Sequence, residues 1–297
     1  MTTSMNILFE NKEFLVINKP AGVVVNRAQT QSEATIQDYL VEYLGEKVFS
    51  EKEIAQTKVS WQKLVPRDFS DEFGTPEEIW QERQGLVHRL DKETSGVLLL
   101  AKNPGALVNL LAQFKQRQTK KTYLALCHGR FTLKNGKINA PLGRASRNRL
   151  RFAIDPAGKA AETFYRVLAS YQNFDWQKLK QQLGKGKTEA ELRILRKTLK
   201  RGPQLYQAGF SLVEAQPKTG RTHQLRVHFA SLQHPLVGDK VYSGKKRQVI
   251  DKFWCSRHFL HAAKIEFFLP DGKEWENKQG VEAKLTNDLQ AAVTLLK

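Results

Sequence analysis

The run Val97, Leu98, Leu99, Leu100, Ala101 constrains the fold more than any other stretch, because it is short, wholly apolar and closed by Gly96 and by Asn103-Pro104. A run of that length and bounding reads as a strand buried on both faces, extending to Lys102, so the chain needs a sheet with other elements packed over it. Asn103 and Pro104 then start a helix that carries Leu107, Leu110, Leu111 and Phe114 at i, i+3, i+4 and i+7, a stripe expected in the core. Just before the strand, in GLVHRLDKETSG (85–96), stand His88, Arg89 and Asp91. Polar groups at the mouth of a buried strand sit on a short, stiff turn whose backbone the strand anchors.

Residues 6–25 predict two short strands separated by a polar turn and closed by Pro20, Ala21 and Gly22. Further strands are predicted at KTYLALCHG (121–129), AETFYRVLAS (161–170) and FSLVEAQP (210–217). TGRTHQLRVHFASL (219–232) predicts a helix beginning near Thr222, with Leu225, Phe229 and Leu232 facing inward. Strands and helices that mix without strict alternation predict a mixed α/β (α+β) fold, expected as a single domain over 1–297. Residues 45–84 are polar and broken by Pro66, Gly74 and Pro76, so they read as an insertion or connector without chemistry. Residues 173–207 read as a second, basic helical insertion. There Thr188 and Glu191 predict a capping box, Leu192, Leu195 and Leu199 an apolar stripe, and Arg193, Arg196, Lys197, Lys200 and Arg201 the outer side, with Gly202 ending the helix. Its face is either simply solvated or a grip on nucleic acid.

Lysine and arginine total 48 against 30 acidic residues, a net charge of +18 that favours a polyanionic partner. The charge is uneven: residues 68–82 hold six acidic side chains and no basic one, whereas basic residues cluster at 115–121, at 144–151 and at Lys245, Lys246 and Arg247. No apolar run approaches the roughly 18 to 20 residues of a membrane span, and the start of the chain lacks a secretory pattern. Two cysteines, Cys127 and Cys255, do not make a disulfide framework. A cytoplasmic protein that binds no membrane is expected. His223 and His228 are five apart, and Cys255, His258 and His261 lack a second half at zinc spacing, so no metal site is expected. Neither a Walker nor a Rossmann phosphate loop occurs.

Asp91 admits two readings: a nucleophile for glycosyl chemistry, where a covalent intermediate divides the work, or a structural carboxylate bonded to nearby amides. Arg226, three residues from His223 on the predicted helix, can pair with Asp91 and keep it ionised, or serve as a structural ion-pair partner alone. His88 is read as an orienting group or one that faces nucleic acid.

Taken together, His88-Arg89-Leu90-Asp91 with Thr94-Ser95-Gly96, then Lys121-Thr122-Tyr123-Leu124-Ala125, then Thr219-Gly220-Arg221-Thr222-His223-Gln224-Leu225-Arg226-Val227-His228 resemble the signature segments of the RluA-type pseudouridine synthases. INKPAGVVV, HPLVGDKVY and FLHAAKIEF also look like parts of that family, so the resemblance runs from about Asn6 to about Pro270. It implies a mixed, mostly antiparallel sheet flanked by helices and loops around a basic cleft. It also implies that Asp91 is the catalytic nucleophile, that Tyr123 stacks on the target base, that Arg226 pairs with Asp91 under the base and that Arg89 holds the flipped-out nucleotide. Thr94, Lys120, Lys121, Arg144, Arg147, Arg149, Arg221, Thr222 and His223 are then expected to contact RNA. The implied reaction breaks the bond from uracil N1 to ribose C1′, turns the base and rejoins it through C5, and it needs no cofactor. Attack by Asp91 at the sugar carbon and assisted loss of a sugar proton both remain open. The expected partner is ribosomal or transfer RNA, acted on by a monomer without an obligate protein partner. The small N-terminal RNA-binding domain of many relatives is expected to be absent. Two other classes compete: a catalytically silent RNA-binding factor on the same scaffold, and a glycosidase, which would require a second carboxylate beside the first.

Overall fold

The computed structural model describes residues 5–27, 32–145, 148, 151–270 and 276–297. The chain divides into two compact units, Met1–Lys121 with Ala262–Lys284, and Thr122–His261 with Leu285–Lys297.

The first unit begins with β1 (Asn6–Glu10) and β2 (Phe14–Lys19), an antiparallel pair whose turn is closed by Asn11 Oδ1, which accepts from the N–H groups of Glu13 and Phe14 at 2.9 Å each. Helices α1 (Ile36–Leu44), α2 (Glu51–Trp61) and α3 (Pro76–Arg83) follow, then β3 (Ser95–Ala101) and α4 (Pro104–Lys115). Every residue of β3 is buried, as its apolar run requires, and β3 pairs antiparallel with β2, Val16 facing Leu99. Asn103 caps α4 by accepting from the Ala106 N–H at 2.8 Å, and Pro104 occupies the first turn, where no N–H is missed. Leu107 and Leu110 are fully buried, and Leu111 and Phe114 pack against the same cluster.

Residues 45–84 are more than a connector. Ile54, Trp61, Leu64 and Trp80 all lie in the core cluster that holds Phe14, Val16, Leu99 and Leu107. α4 meets this segment so closely that a Cβ on Gly105 would stand 2.0 Å from the Trp61 carbonyl oxygen.

The second unit takes in most of β4 (Lys120–His128), then β5 (Asn135–Asn139), the hairpin β6 (Leu142–Arg144) and β7 (Phe152–Ile154), and β8 (Glu162–Tyr171). Helices α5 (Trp176–Gly184), α6 (Glu189–Leu199) and α7 (Gly202–Leu205) precede β9 (Phe210–Pro217), α8 (Gln224–Ser231) and α9 (Lys245–Asp251). Its sheet runs in the order β4-β9-β8-β5, antiparallel at each pairing. The chain re-enters the first unit along β10 (Leu260–Phe268), followed by β11 (Lys278–Glu282), which gives the order β1-β2-β3-β10-β11 there, and ends in the second unit with α10 (Asn287–Val293). The fold is thus mixed α/β with mostly antiparallel sheet. Among the described residues no helix is long and apolar enough to cross a membrane.

Three local expectations are corrected. The 219–232 helix begins at Gln224, not Thr222, because His223 is its N-cap with a left-handed φ of 56°. Leu232 is 39% exposed: it is the C-cap, where the chain has left the helical spiral that turns Leu225 and Phe229 inward. Gly202 does not end α6, which stops at Leu199; it starts α7, and it is glycine because a Cβ would stand 2.0 Å from the Trp176 ring. The predicted capping box of α6 is present, Thr188 and Glu191 exchanging bonds with each other's backbone N–H.

Candidate active site

In the first unit, the HRLD segment is tied to the strand that follows it. The Gly85 carbonyl accepts from the Ala101 N–H at 2.9 Å, and His88 Nε2 accepts from the Leu99 N–H at 3.0 Å. Asp91 opens a turn closed by the Thr94 N–H, which donates to the Asp91 carbonyl at 3.0 Å. The next carbonyl, Lys92, accepts from the Gly22 N–H at 2.8 Å and from the Lys19 ammonium at 3.1 Å. That ammonium also donates to the Pro20 and Val23 carbonyls at 2.8 Å each, and Lys19 is entirely buried. A buried cation solvated by three carbonyls is an internal clamp, here joining the KPAG segment to the Asp91 turn. Thr94 and Ser95 are buried at the entrance to β3. Gly96 has φ of +113°, and a Cβ there would stand 2.2 Å from the Ala262 carbonyl oxygen on β10, so no other residue fits the third place of Thr-Ser-Gly.

His88 stacks on Phe114 with ring centres 4.9 Å apart, and the Lys121 ammonium lies 5.5 Å from the same ring. Burial, with the Lys121 charge nearby, pulls the His88 pKa down to about 3, so the ring is neutral and its Nε2 lone pair is taken by Leu99. His88 therefore braces the turn, in keeping with an orienting role. Burial also lowers the Lys121 pKa to about 8. Arg89 and Lys120 are exposed, the latter 3.7 Å from Glu266.

In the second unit, Tyr123 lies on β4 opposite Ala215 and packs against the cluster of Ala125, Val213, Leu225 and Phe229. The TGRTHQLRVH segment is fixed by side-chain bonds to β8. Gln224 Oε1 accepts from the Thr219 hydroxyl at 2.7 Å and the Arg221 N–H at 3.1 Å, while Gln224 Nε2 donates to the Glu162 carbonyl and to Thr163 Oγ1, each at 3.0 Å. The Thr163 hydroxyl in turn donates to His228 Nδ1, leaving His228 Nε2–H for the Ala140 carbonyl at 3.0 Å. Burial keeps that imidazole neutral.

Arg226 is 5% exposed, and its guanidinium grips Asp239 with both arms, Nε to Oδ2 at 2.7 Å and Nη2 to Oδ1 at 3.0 Å. Burial alone would raise the Asp239 pKa; the Arg226 fork, with the Val241 N–H, outweighs it and holds the carboxyl below its ordinary value. Tyr242 lies beside this pair, its ring 5.2 Å from the Arg226 guanidinium carbon. Its hydroxyl accepts from the Phe152 N–H at 2.9 Å and meets His223 Nδ1 at 3.0 Å. Arg151 covers the same ring at 5.3 Å, and Arg144 lies 5.7 Å from the Phe152 ring. The structure therefore gathers Arg226, His223 and the basic β6–β7 hairpin around Tyr242. Arg221 is exposed and folds back, its Nε donating to the Ala160 carbonyl at 3.2 Å; Thr222 is exposed. Arg147 and Arg149 lie outside the described residues.

The sequence alone does not single out Lys19, Asp239 or Tyr242. The signal for Lys19 is a lysine ending a strand whose first four residues are apolar; for Asp239 it is the one acid in the segment HPLVGDKVY. Among the described residues no three His, Cys, Asp or Glu side chains come together as a metal site. The first unit offers a carboxylate-bearing turn pinned at several points; the second, taken by itself, offers a tyrosine on a strand and a guanidinium locked in orientation.

A family model described as RNA pseudouridylate synthase matches residues 13–231. The ribosomal large subunit pseudouridine synthase D of Zymomonas mobilis subsp. mobilis is 30% identical over 298 residues, covering 98% of this chain and 73% of that protein. An uncharacterized RNA pseudouridine synthase of Aquifex aeolicus is 30% identical over 274 residues, covering 91% of this chain and 67% of that one. Among solved structures, Human RNA Pseudouridylate Synthase Domain Containing 4 matches with a TM-score of 0.60 at 22% identity, over 98% of this chain and 94% of that one, a likeness of fold.

Proposed function

The chain belongs to the RNA pseudouridylate synthase family, whose members are isomerases, and from that premise we propose that it converts specific uridines of structured ribosomal RNA to pseudouridine, with Asp91 as the catalytic carboxylate. The observation that carries this reading is the Asp91 turn. Three independent ties hold it, through His88 to Leu99, through Lys92 to Lys19 and Gly22, and through Thr94. Catalysis rewards such preorganisation, because a carboxylate already in place spends no binding energy on being positioned. In the reaction the N1–C1′ bond breaks, uracil turns within the pocket, C5 bonds to C1′, and the C5 proton leaves as N1 gains one. Tyr123 stacks on the extruded base, Arg226 pairs with Asp91, and Arg89 holds the displaced backbone. Arg226 is suited to that role because the Asp239 fork fixes its plane. Ribosomal RNA is favoured by the named activity of the Zymomonas relative together with the +18 charge. The protein acts in the cytoplasm as a monomer.

The test uses RNA labelled with tritium at uridine C5, which releases tritium to water on isomerisation. Asp91→Asn is expected to abolish release while RNA binding persists. Full release by that variant would refute the assignment.

A further inference from the structure

The 173–207 segment holds nine basic side chains against three acidic ones, and it is anchored firmly. Leu179, Leu195, Leu199 and Tyr206 are buried in one cluster with Phe174, Phe210 and Trp254. The Tyr206 hydroxyl donates to buried Asp251 and accepts from Trp254 Nε1 at 3.0 Å, and Trp176 stacks on Tyr206 at 5.2 Å. The segment is thus a built part of the second unit.

That anchoring turns the other side of α6 outward. Arg193, Arg196, Lys197 and Lys200, with Arg201 just past the helix end, are all exposed. Glu189 bridges to Arg196 at 2.9 Å. Arg193, Lys197 and Lys200 stand at i, i+4 and i+7, one stripe about 10 Å long at 1.5 Å per residue. Ile194, 67% exposed, stands among them, and Lys185 and Lys187 extend the charge into the α5–α6 turn. Like charges held in a row on a rigid element repel one another, and a polyanion removes that repulsion. We propose that this face of α6 is an accessory docking surface for the phosphate backbone of the substrate RNA, gripping it away from the target uridine and so narrowing which RNA is modified. The inference rests on the function proposed above.

The experiment compares the wild type with Arg193→Gln/Lys197→Gln/Lys200→Gln, and with Lys47→Gln/Lys52→Gln/Lys63→Gln, which loses the same charge from exposed lysines of the first unit. Two probes are used: a fluorescent RNA duplex for affinity, and ribosomal RNA transcripts tritiated at uridine C5 for turnover. The α6 variant is expected to raise KM about tenfold with kcat unchanged, and to make the dependence of log affinity on log salt shallower by about 2. From about 50 to about 200 mM salt, the wild type then loses about 16-fold more affinity than the variant. KM and slope equal to wild type would overturn the proposal. So would an equal loss in both variants, which would assign the effect to net charge, and so would unchanged RNA readouts with lost capture of a ribosomal protein. A wild type that releases no tritium while the slope still drops in the α6 variant alone would refute the catalytic reading and leave the docking surface standing.

Discussion

Asp251 is the group whose removal the fold should tolerate least. It is entirely buried, and its carboxylate accepts three buried donors: the Tyr206 hydroxyl at Oδ1, and His128 Nε2–H at 2.9 Å and the Gly238 N–H at 3.0 Å at Oδ2. In Asp251→Ala all three lose their acceptor. An orphaned buried donor costs about 1–3 kcal/mol, so the loss should be about 4 kcal/mol or more, a large share of the roughly 5–15 kcal/mol by which domains are stable. Asp251→Asn should cost about 2 kcal/mol: the amide keeps shape and leaves its one oxygen at the Oδ2 place to accept from His128 and Gly238, but turns an NH₂ toward the Tyr206 hydroxyl, which loses its acceptor. Tyr206→Phe removes one donor and also strands Trp254 Nε1–H, for about 2 kcal/mol. Because Tyr206 and Asp251 share a bond, the double variant should fall short of the sum by at least about 1 kcal/mol. Urea unfolding followed by tryptophan fluorescence reads all four proteins. A loss below about 1 kcal/mol for Asp251→Ala, or strict additivity in the double variant, would refute the reasoning.

Two further outcomes test the Asp91 turn from its supports. Gly96→Ala puts a Cβ 2.2 Å from the Ala262 carbonyl oxygen at a φ of +113°, and should cost about 3 kcal/mol from strain and overpacking; an unchanged Tm would refute it. His88 has its pKa lowered to about 3 from an ordinary 6.5, so the unfolded chain takes up that proton first. The stability it supplies is complete above pH 6.5 and is lost as pH falls toward 3, about 2 kcal/mol by pH 5. Urea midpoints at pH 7 and pH 5 should show that extra loss in the wild type and its absence in His88→Gln; parallel losses would refute it.

Much of this was legible in the chain because it depends on residues three or four apart. The Val97–Ala101 run announces a buried strand through its length and its bounding residues, the stripe from Leu107 to Phe114 announces a core helix through its period, and Thr188 with Glu191 announces a helix start through a cap that spans a single turn. The order of the three motifs named the family. By contrast, the polar composition of 45–84 hid Ile54, Trp61, Leu64 and Trp80, since a few apolar residues spread over broken elements set up no period. Gly202 reads as a helix stop because sequence cannot distinguish a glycine needed for its φ from one needed for a ring packed against it.

The sequence by itself determined elements such as β3, α4 and α6, the polyanion-seeking charge and the identity of the residues offered for chemistry. Only the tertiary structure decided what holds them. Lys19 reaches the Lys92 carbonyl 73 residues away, Arg226 takes Asp239 13 residues away, and Tyr206 finds Asp251 45 residues away. A lysine, an arginine or an aspartate is equally soluble wherever it stands in the chain; which partner repays its burial is fixed only when folding excludes water and leaves one donor facing one acceptor.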